Sequence, residues 1–379
     1  MRLALTPEQE AFREEVRRFT ATVGPEPVHA SVDEQFAYLV AFQGRLDAAG
    51  LAVVAWPEAY GGRGLSPVEY AIVCDELGQA RCPEVINFVG LDVIAPALLE
   101  YMDPERLAVW LPPMASGQEI WCQLFSEPDA GSDLASLRTS AKAHGDGWVI
   151  NGQKVWSTWA QYASYGLLLA RTGTLESRHR GITAFVVDME TPGIEARPLA
   201  TMTGSAEFAE VFFDNVELPV DALVGEVDGG WAVAQVMLSA ERGPYAIRRS
   251  AVLRAGYTGL LELARGCTDL LLRQRVAQAA IAIEMLDLRI ADVLAELAAG
   301  REIGAQSALT KLVIGQTEQR IFSTAADLRG LASVVGTEGD AEDALWSERY
   351  LYSRAATIYG GSQEIQRNIV GERLLGLPR

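Results

Sequence analysis

Apolar positions along the chain fall into three successive rhythms. Near the start, Phe12, Val16 and Phe19 recur at three- and four-residue intervals, the spacing of one helical face. Thr6-Pro7-Glu8-Gln9 precedes them with a capping hydroxyl, a proline at the first helical position and a Gln three residues after the cap. Helical spacing continues through residues 35–49, 67–78 and 85–101, with LAVVAWPEAYGGRG forcing a turn or loop between the first two. From about residue 120 the period changes: LLLA (167–170), ITAFVVD (182–188) and FAEVFFDNVELP (208–219) read as strands between Gly, Pro and charged turns. Beyond Asp228-Gly229-Gly230, long helices return over roughly 231–265, 268–298, 305–333 and 344–374. Ile283, Leu286, Ile290, Val293 and Leu297 keep helical spacing there and predict bundle packing. The pattern predicts an α+β chain: a helical domain at 1–119, a middle antiparallel β domain at 120–228 and a C-terminal four-helix bundle at 229–379.

Within the β region, Cys122–Trp159 concentrates the candidate chemistry. SEPDAGSD is a run of turn formers, and WVI and KVWST read as two strands joined by Asn151-Gly152, a pair that tolerates the positive φ of a type I′ turn. The loop and the second strand would then lie side by side. Backbone N–H groups of the loop, with the hydroxyls of Ser126, Ser132 and Thr158, suit the oxygens and ring edges of a polar cofactor, and Trp156 suits its face. Spacing alone favours an exposed loop followed by an ordinary hairpin whose tryptophans fill the core.

Composition narrows the function classes. A chain of 379 residues, 49% hydrophobic, buries a sizeable core and has the length of two or three domains. Its 50 acidic against 32 basic residues give a net charge of −18, which disfavours nonspecific nucleic-acid binding. Cys74, Cys82, Cys122 and Cys267 include no CxxC pair and, with no secretory segment, predict reduced thiols. His29, His144 and His179 stand in unrelated contexts and predict no metal site. No apolar run reaches the ~18 residues of a membrane span. The expectation is a cytoplasmic protein.

LFSEPDAGSD followed by NGQKVWST resembles the paired flavin-binding signatures of the acyl-CoA dehydrogenase family. The likeness runs from TPEQEAFREEVRRF to YGGSQEIQRNIVGERLLGLP, nearly the whole chain. It implies an acyl-CoA dehydrogenase-like fold, FAD as cofactor and an acyl-CoA substrate. By the same resemblance, Ser126 bonds the flavin pyrimidine edge, Trp156 covers one face of the isoalloxazine and Thr158 bonds near its N5. Phe125, Ser157, Ser362 and Glu364 complete the implied cofactor set, while Ser132 lies toward the thioester and pantetheine end.

Oxidation between Cα and Cβ of a thioester requires a carboxylate of raised proton affinity to take the α proton, beside a polarised carbonyl. One group of the family carries this base directly after the tyrosine of its C-terminal motif. Here that segment is Tyr359-Gly360-Gly361-Ser362, and glycine has no side chain to accept a proton. A second group places the base on the first long helix of the C-terminal domain, before an arginine, and LSAERG puts Glu241 and Arg242 there. The resemblance therefore implies Glu241 as base. Gly360 would leave it room and offer a backbone N–H to the thioester carbonyl, and Arg242 would shape the pocket or contact the CoA side.

Two departures from the family pattern bear on partners. An arginine and a Phe-Gly pair that reach a neighbouring subunit's FAD are replaced by TDLLLRQRVAQAAIAIEM, and a Gln-x-x-Gly-Gly segment by LRGLASVVGTEGDAED. This form resembles bacterial acyl-CoA dehydrogenases acting on steroid side chains or other unusual acyl groups, some built from two kinds of related subunit. The implied function is α,β-dehydrogenation of an acyl-CoA to the trans-2-enoyl-CoA, with an electron-transfer flavoprotein as acceptor. A catalytically incomplete partner subunit and an oxygen-using acyl-CoA oxidase are the alternatives.

Overall fold

A computed structural model of the chain describes residues 5–27, 29, 31–301, 303–335 and 341–378. In chain order its helices are α1 (Pro7–Thr20), α2 (Val32–Ala48), α3 (Pro67–Gln79), α4 (Ala95–Tyr101), α5 (Pro104–Ser116), α6 (Gly230–Ala240), α7 (Pro244–Leu263), α8 (Leu270–Ala298), α9 (Ser307–Arg329), α10 (Ala332–Val335), α11 (Ala341–Tyr352) and α12 (Gln363–Ile369). The Thr6/Gln9 signal forms a reciprocal capping box at the head of α1, a feature of about 1 kcal/mol. Ser66 and Glu69 repeat it on α3. Helix α5 escaped the sequence reading because Pro112 and Pro113 stand in its last turns; Asp103 caps its other end by accepting from Arg106 N. A π-helical turn, Val89–Ile94, leads into α4.

Internal packing divides the chain into two compact units, residues 1–29, 64–84 and 241–379 forming one and residues 30–63 and 85–240 the other. In the first, α3 lies against α7 closely enough that a Cβ on Gly78 would sit 2.8 Å from Ala251 O. Ile283, Leu286, Ile290 and Val293 of α8 are buried, as their spacing predicts, and Leu297 is half-buried near the helix end. Ion pairs join the helices: Arg17 Nε to Glu76 (3.0 Å), Arg254 Nε to Asp287 (2.6 Å) and the buried Arg249 to Glu318 (2.6 Å).

The second unit is built on an eight-stranded sheet of β1 (Trp121–Leu124), β2 (Ser140–His144), β3 (Gly147–Thr158), β4 (Tyr165–Arg171), β5 (Ile182–Asp188), β6 (Ile194–Leu199), β7 (Phe208–Pro219) and β8 (Leu223–Val224). Its order is β6-β7-β3-β2-β4-β5-β8, with β1 pairing with β4 off this path. Most pairs are antiparallel, but β1 runs parallel to β4, and β2 meets β4 in parallel at Ser140 and Arg171, so the sheet is mixed. Leu124, Ile150, Leu168, Phe185, Val211 and Phe213 belong to its core.

Three local expectations are corrected. Asn151-Gly152 is not a hairpin turn: β3 runs straight through it, and the hairpin lies at Gly145-Asp146, between His144 and Gly147. The pair instead forms an irregularity opposite β7. A Cβ on Gly152 (φ +152°) would sit 2.6 Å from Thr139 Cα, and the Asn151 side chain accepts from Asn215 N at 2.9 Å. The helix expected over 231–265 breaks at Glu241–Gly243, because Pro244 disfavours helical geometry in the residue before it and Gly243 takes φ −109°, ψ −98°. The helix expected over 344–374 is likewise interrupted, α11 and α12 flanking the 359–362 loop and a π-helical turn at Val370–Leu374 following.

Candidate active site

The SEPDAGSD loop and β3 are clamped together by hydrogen bonds within the sheet unit. Val155 N donates to Ser126 O (2.9 Å), and the fully buried Lys154 Nζ donates to Phe125 O (3.0 Å) and to Glu127 Oε1 (2.8 Å). Glu127 also accepts from the backbone N–H groups of Arg138 (2.7 Å) and Thr139 (2.9 Å), so one carboxylate fixes both ends of the loop. Burial raises its pKa, but Lys154 and these hydrogen bonds pull it below the ordinary value. Burial lowers Lys154 to about 8 against the opposing pull of Glu127. Neither residue was singled out by sequence; a lysine inside the strand-forming run QKVW was the available signal.

On this frame β3 bulges between Lys154 and Ser157, and Trp156 takes φ +61°. A bulky residue in that region costs roughly 1–3 kcal/mol, and such residues cluster at active sites and ligand clamps. The distortion turns Trp156 outward, 61% exposed, with its ring at 80° to that of Phe208 (centroids 5.9 Å apart). Ser157 Oγ is buried with no hydrogen-bond partner, an unmade bond that costs about 1–3 kcal/mol unless a ligand supplies it. Phe125 is buried, Ser126 and Thr158 are partly buried and Ser132 is exposed. An outward indole, an orphaned hydroxyl and a pinned polar loop fit the isoalloxazine end of FAD. Trp156 is thus no core residue.

The helical unit brings Glu241, Arg242 and Gly360 together. Glu241, in the turn before α7, lines a small cavity with Arg242, Tyr245, Ala246, Lys311, Ile314 and Tyr359. Gly360 adopts φ +62°, and a Cβ there would lie 2.5 Å from Glu241 Oε1. The carboxylate occupies the space into which a side chain at 360 would project. Burial raises the Glu241 pKa above the ordinary carboxylate value, with Lys311 and then Arg242 opposing. Arg242 donates from Nη1 to Ser307 Oγ (3.2 Å), while its buried Nε has no partner; burial lowers its pKa.

Lys311, Tyr245 and Tyr359 were not assigned from sequence. Lys311 stands as a lone charge in SALTKLVIG; its Nζ donates to Ala356 O (3.0 Å) and lies 3.7 Å from the Tyr359 ring centroid. Tyr359 Oη is buried without a partner, and burial pushes its pKa well up, as it does that of Tyr245. Ser362 accepts from Ile365 N (3.4 Å) as the cap of α12, and the exposed Glu364 lies 3.9 Å from Arg367. Residues 336–340 of the replaced Gln-x-x-Gly-Gly segment lie outside the described residues. Among the described residues, no group of His, Cys, Asp and Glu has metal-ligating geometry, and no helix is long and apolar enough to cross a membrane.

Three family models cover the chain: the acyl-CoA dehydrogenase N-terminal domain at 6–118, the middle domain at 122–216 and the C-terminal domain at 228–375. The chain is 38% identical over 360 residues to acyl-CoA dehydrogenase IpdE1 of Mycobacterium tuberculosis, spanning 94% of this chain and 91% of that protein. Among solved structures it is similar to the Tcur3481-Tcur3483 steroid ACAD (TM-score 0.86, 25% identity, all of both chains). It is also similar to the ChsE4-ChsE5 complex of Mycobacterium tuberculosis (TM-score 0.83, 28% identity, all of both chains). With all three domain models matched in order and a 38% identical relative spanned over 94% of the chain, the chain belongs to the acyl-CoA dehydrogenase family of FAD-dependent oxidoreductases.

Proposed function

We propose that Glu241 is the base that takes the α proton of an acyl-CoA thioester, leaving the trans-2-enoyl-CoA. The coupling of Glu241 to Gly360 carries this assignment: the carboxylate fills the volume beside a glycine that has itself lost the side chain. Burial raises the proton affinity of Glu241, as proton abstraction needs, while Lys311 and Arg242 favour the ionised form that can accept. Gly360 N–H polarises the thioester carbonyl, and Arg242 shapes the pocket. Phe125, Ser126, Trp156, Ser157 and Thr158 bind and orient the isoalloxazine, Ser362 and Glu364 contribute to cofactor binding, and Ser132 meets the pantetheine end. Bound FAD supplies, at N5, the acceptor for the β hydride.

Family matches at 6–118, 122–216 and 228–375 support division into domains at 1–119, 120–228 and 229–379. A related second subunit is supported by neighbours that are named as pairs, one of them a steroid ACAD, and by the absence of the family's flavin-clamp residues from this sequence. A bulky acyl group such as a steroid side chain is the substrate class in keeping with those names. An electron-transfer flavoprotein as acceptor and a cytoplasmic setting complete the reading. Anaerobic titration with short, branched, aromatic and steroid acyl-CoA thioesters is the test. One of them bleaches the flavin absorbance of the loaded enzyme, and Glu241→Gln keeps its FAD while reduction falls at least ~10²-fold. Near-normal reduction by Glu241→Gln removes Glu241 as the base, and failure of every thioester to bleach the flavin, alone or with the related subunit, removes the activity.

A further inference from the structure

Only three of the 32 basic residues are lysines: Lys142, Lys154 and Lys311. Two of them are buried, Lys154 beneath the cofactor loop and Lys311, 9% exposed, beside the base. In a chain that otherwise uses arginine, these positions hold the smaller ammonium, whose proton affinity its surroundings can tune.

A buried ammonium loses several kcal/mol of hydration, so whatever compensates it shows what it holds. Lys311 Nζ donates to Ala356 O at 3.0 Å and sits 3.7 Å from the centre of the Tyr359 ring, gripping both ends of the segment that runs to Gly360. The position of a Cβ on Gly360 would be 2.5 Å from Glu241 Oε1 and 3.3 Å from Lys311 Cε, so base and lysine stem converge on one point. Resting on the reading of Glu241 as base, we propose that Lys311 is the positioning residue of the acid–base site. Its ammonium ties the 356–360 segment to α9, and its stem meets the Glu241 carboxylate beside Gly360, where its positive charge favours the charged form of the base.

The charged and titratable groups around the pair are Arg242 from the same turn, Tyr245 and Arg249 from α7, Glu318 from α9, Tyr359 from the terminal loop and Arg373 from the π-helical turn. Arg249 is already matched by Glu318 through two hydrogen bonds (2.6 and 3.1 Å). Arg242 is repelled by Arg373. Lys311 is the cation with the largest effect on the carboxylate. Burial lowers Lys311 to about 8, with Glu241 pulling the other way.

Removing the cation disfavours the carboxylate, so Glu241 keeps its proton to higher pH. Anaerobic flavin reduction by substrate, followed from pH 5.5 to 9 in the FAD-loaded protein, is therefore expected to have its ascending limb about one pH unit higher in Lys311→Met, a coupling of roughly 1.4 kcal/mol. Lys311→Arg returns the limb toward wild type. An unmoved limb in Lys311→Met overturns the proposal, since a merely structural lysine changes amplitude and not position. A second measurement does not require that variant to fold. With three lysines, ¹³Cε labelling gives three NMR signals, and Lys311 should titrate lower in Glu241→Gln than in wild type because it has lost its counter-charge; an unchanged titration overturns the proposal. Near-normal flavin reduction by Glu241→Gln defeats the base assignment, whereas an inactive Glu241→Gln with an unshifted Lys311 defeats only the role of Lys311.

Discussion

At position 360 a methyl group is already too large. The added Cβ would lie 2.5 Å from Glu241 Oε1 and would have to be carried at φ +62°. The left-handed backbone costs a non-glycine residue about 1–2 kcal/mol, and relief of the clash displaces the carboxylate. Gly360→Ala is thus expected to retain FAD and fold while flavin reduction drops ~10²-fold, the scale of a misplacement of about 1 Å; unchanged single-turnover reduction would contradict the crowding. Relocating the base obeys the same geometry. Gly360→Glu placed in Glu241→Gln meets an amide as large as the carboxylate it replaced, and no rescue is expected. Glu241→Gly with Gly360→Glu clears the space and should reduce flavin measurably faster than Glu241→Gly alone. Equal rates for those two variants would show that the loop cannot present a carboxylate from position 360.

The SEPDAGSD loop depends on β3, to which it is hydrogen-bonded. Lys154→Met leaves Glu127 buried without its cation, a loss of about 3–5 kcal/mol when one member of such a pair is removed. Adding Glu127→Gln removes the stranded charge and should recover a large part of that stability, though not the hold on Phe125 O. Urea unfolding gives the stability of each variant, and FAD titration of the apoprotein gives the loop's grip. The double variant is expected to regain stability more than affinity, and parallel recovery of both would show the pair to be only structural. Much of this element was legible: strands 182–188 and 208–219 appear with the bounds that their flanking turns predict, and SEPDAGSD lies beside KVWST as expected. The route to that pairing was not legible. Asn151-Gly152 carries a hairpin signal, but Gly145-Asp146 offers a competing turn six residues earlier, and cross-strand contact with Thr139 and Asn215 decides between them. The break at Glu241 was written locally, in Gly243-Pro244, and is lost when a long apolar period is read through it. Lys311 and Lys154 gain their roles only from partners distant in sequence, Ala356 and Glu127.

On the scale of the whole molecule, the helical unit draws 64–84 together with 241–379 across a long stretch of sequence, an association that no local window contains. The same unit has an apolar face that is exposed among the described residues of the single chain. On α8, Ile281, Met285 and Leu288 follow one another at helical spacing and are 60%, 55% and 56% exposed, while Ile283, Leu286 and Ile290 are buried. Part of this face lies in TDLLLRQRVAQAAIAIEM, residues 268–285. Three adjacent apolar side chains in water signal a contact surface more than a stability element. If that contact is the related subunit, Ile281→Glu with Met285→Glu should leave the helical signal of the single chain intact, because both side chains already face outward. The mass of the co-purified pair, measured by light scattering, should fall to that of separate chains, and FAD occupancy should fall with it if the partner completes the cofactor site. Dissociation with full FAD retained would make the face an assembly surface alone, and an unchanged mass would place the partner elsewhere on the molecule.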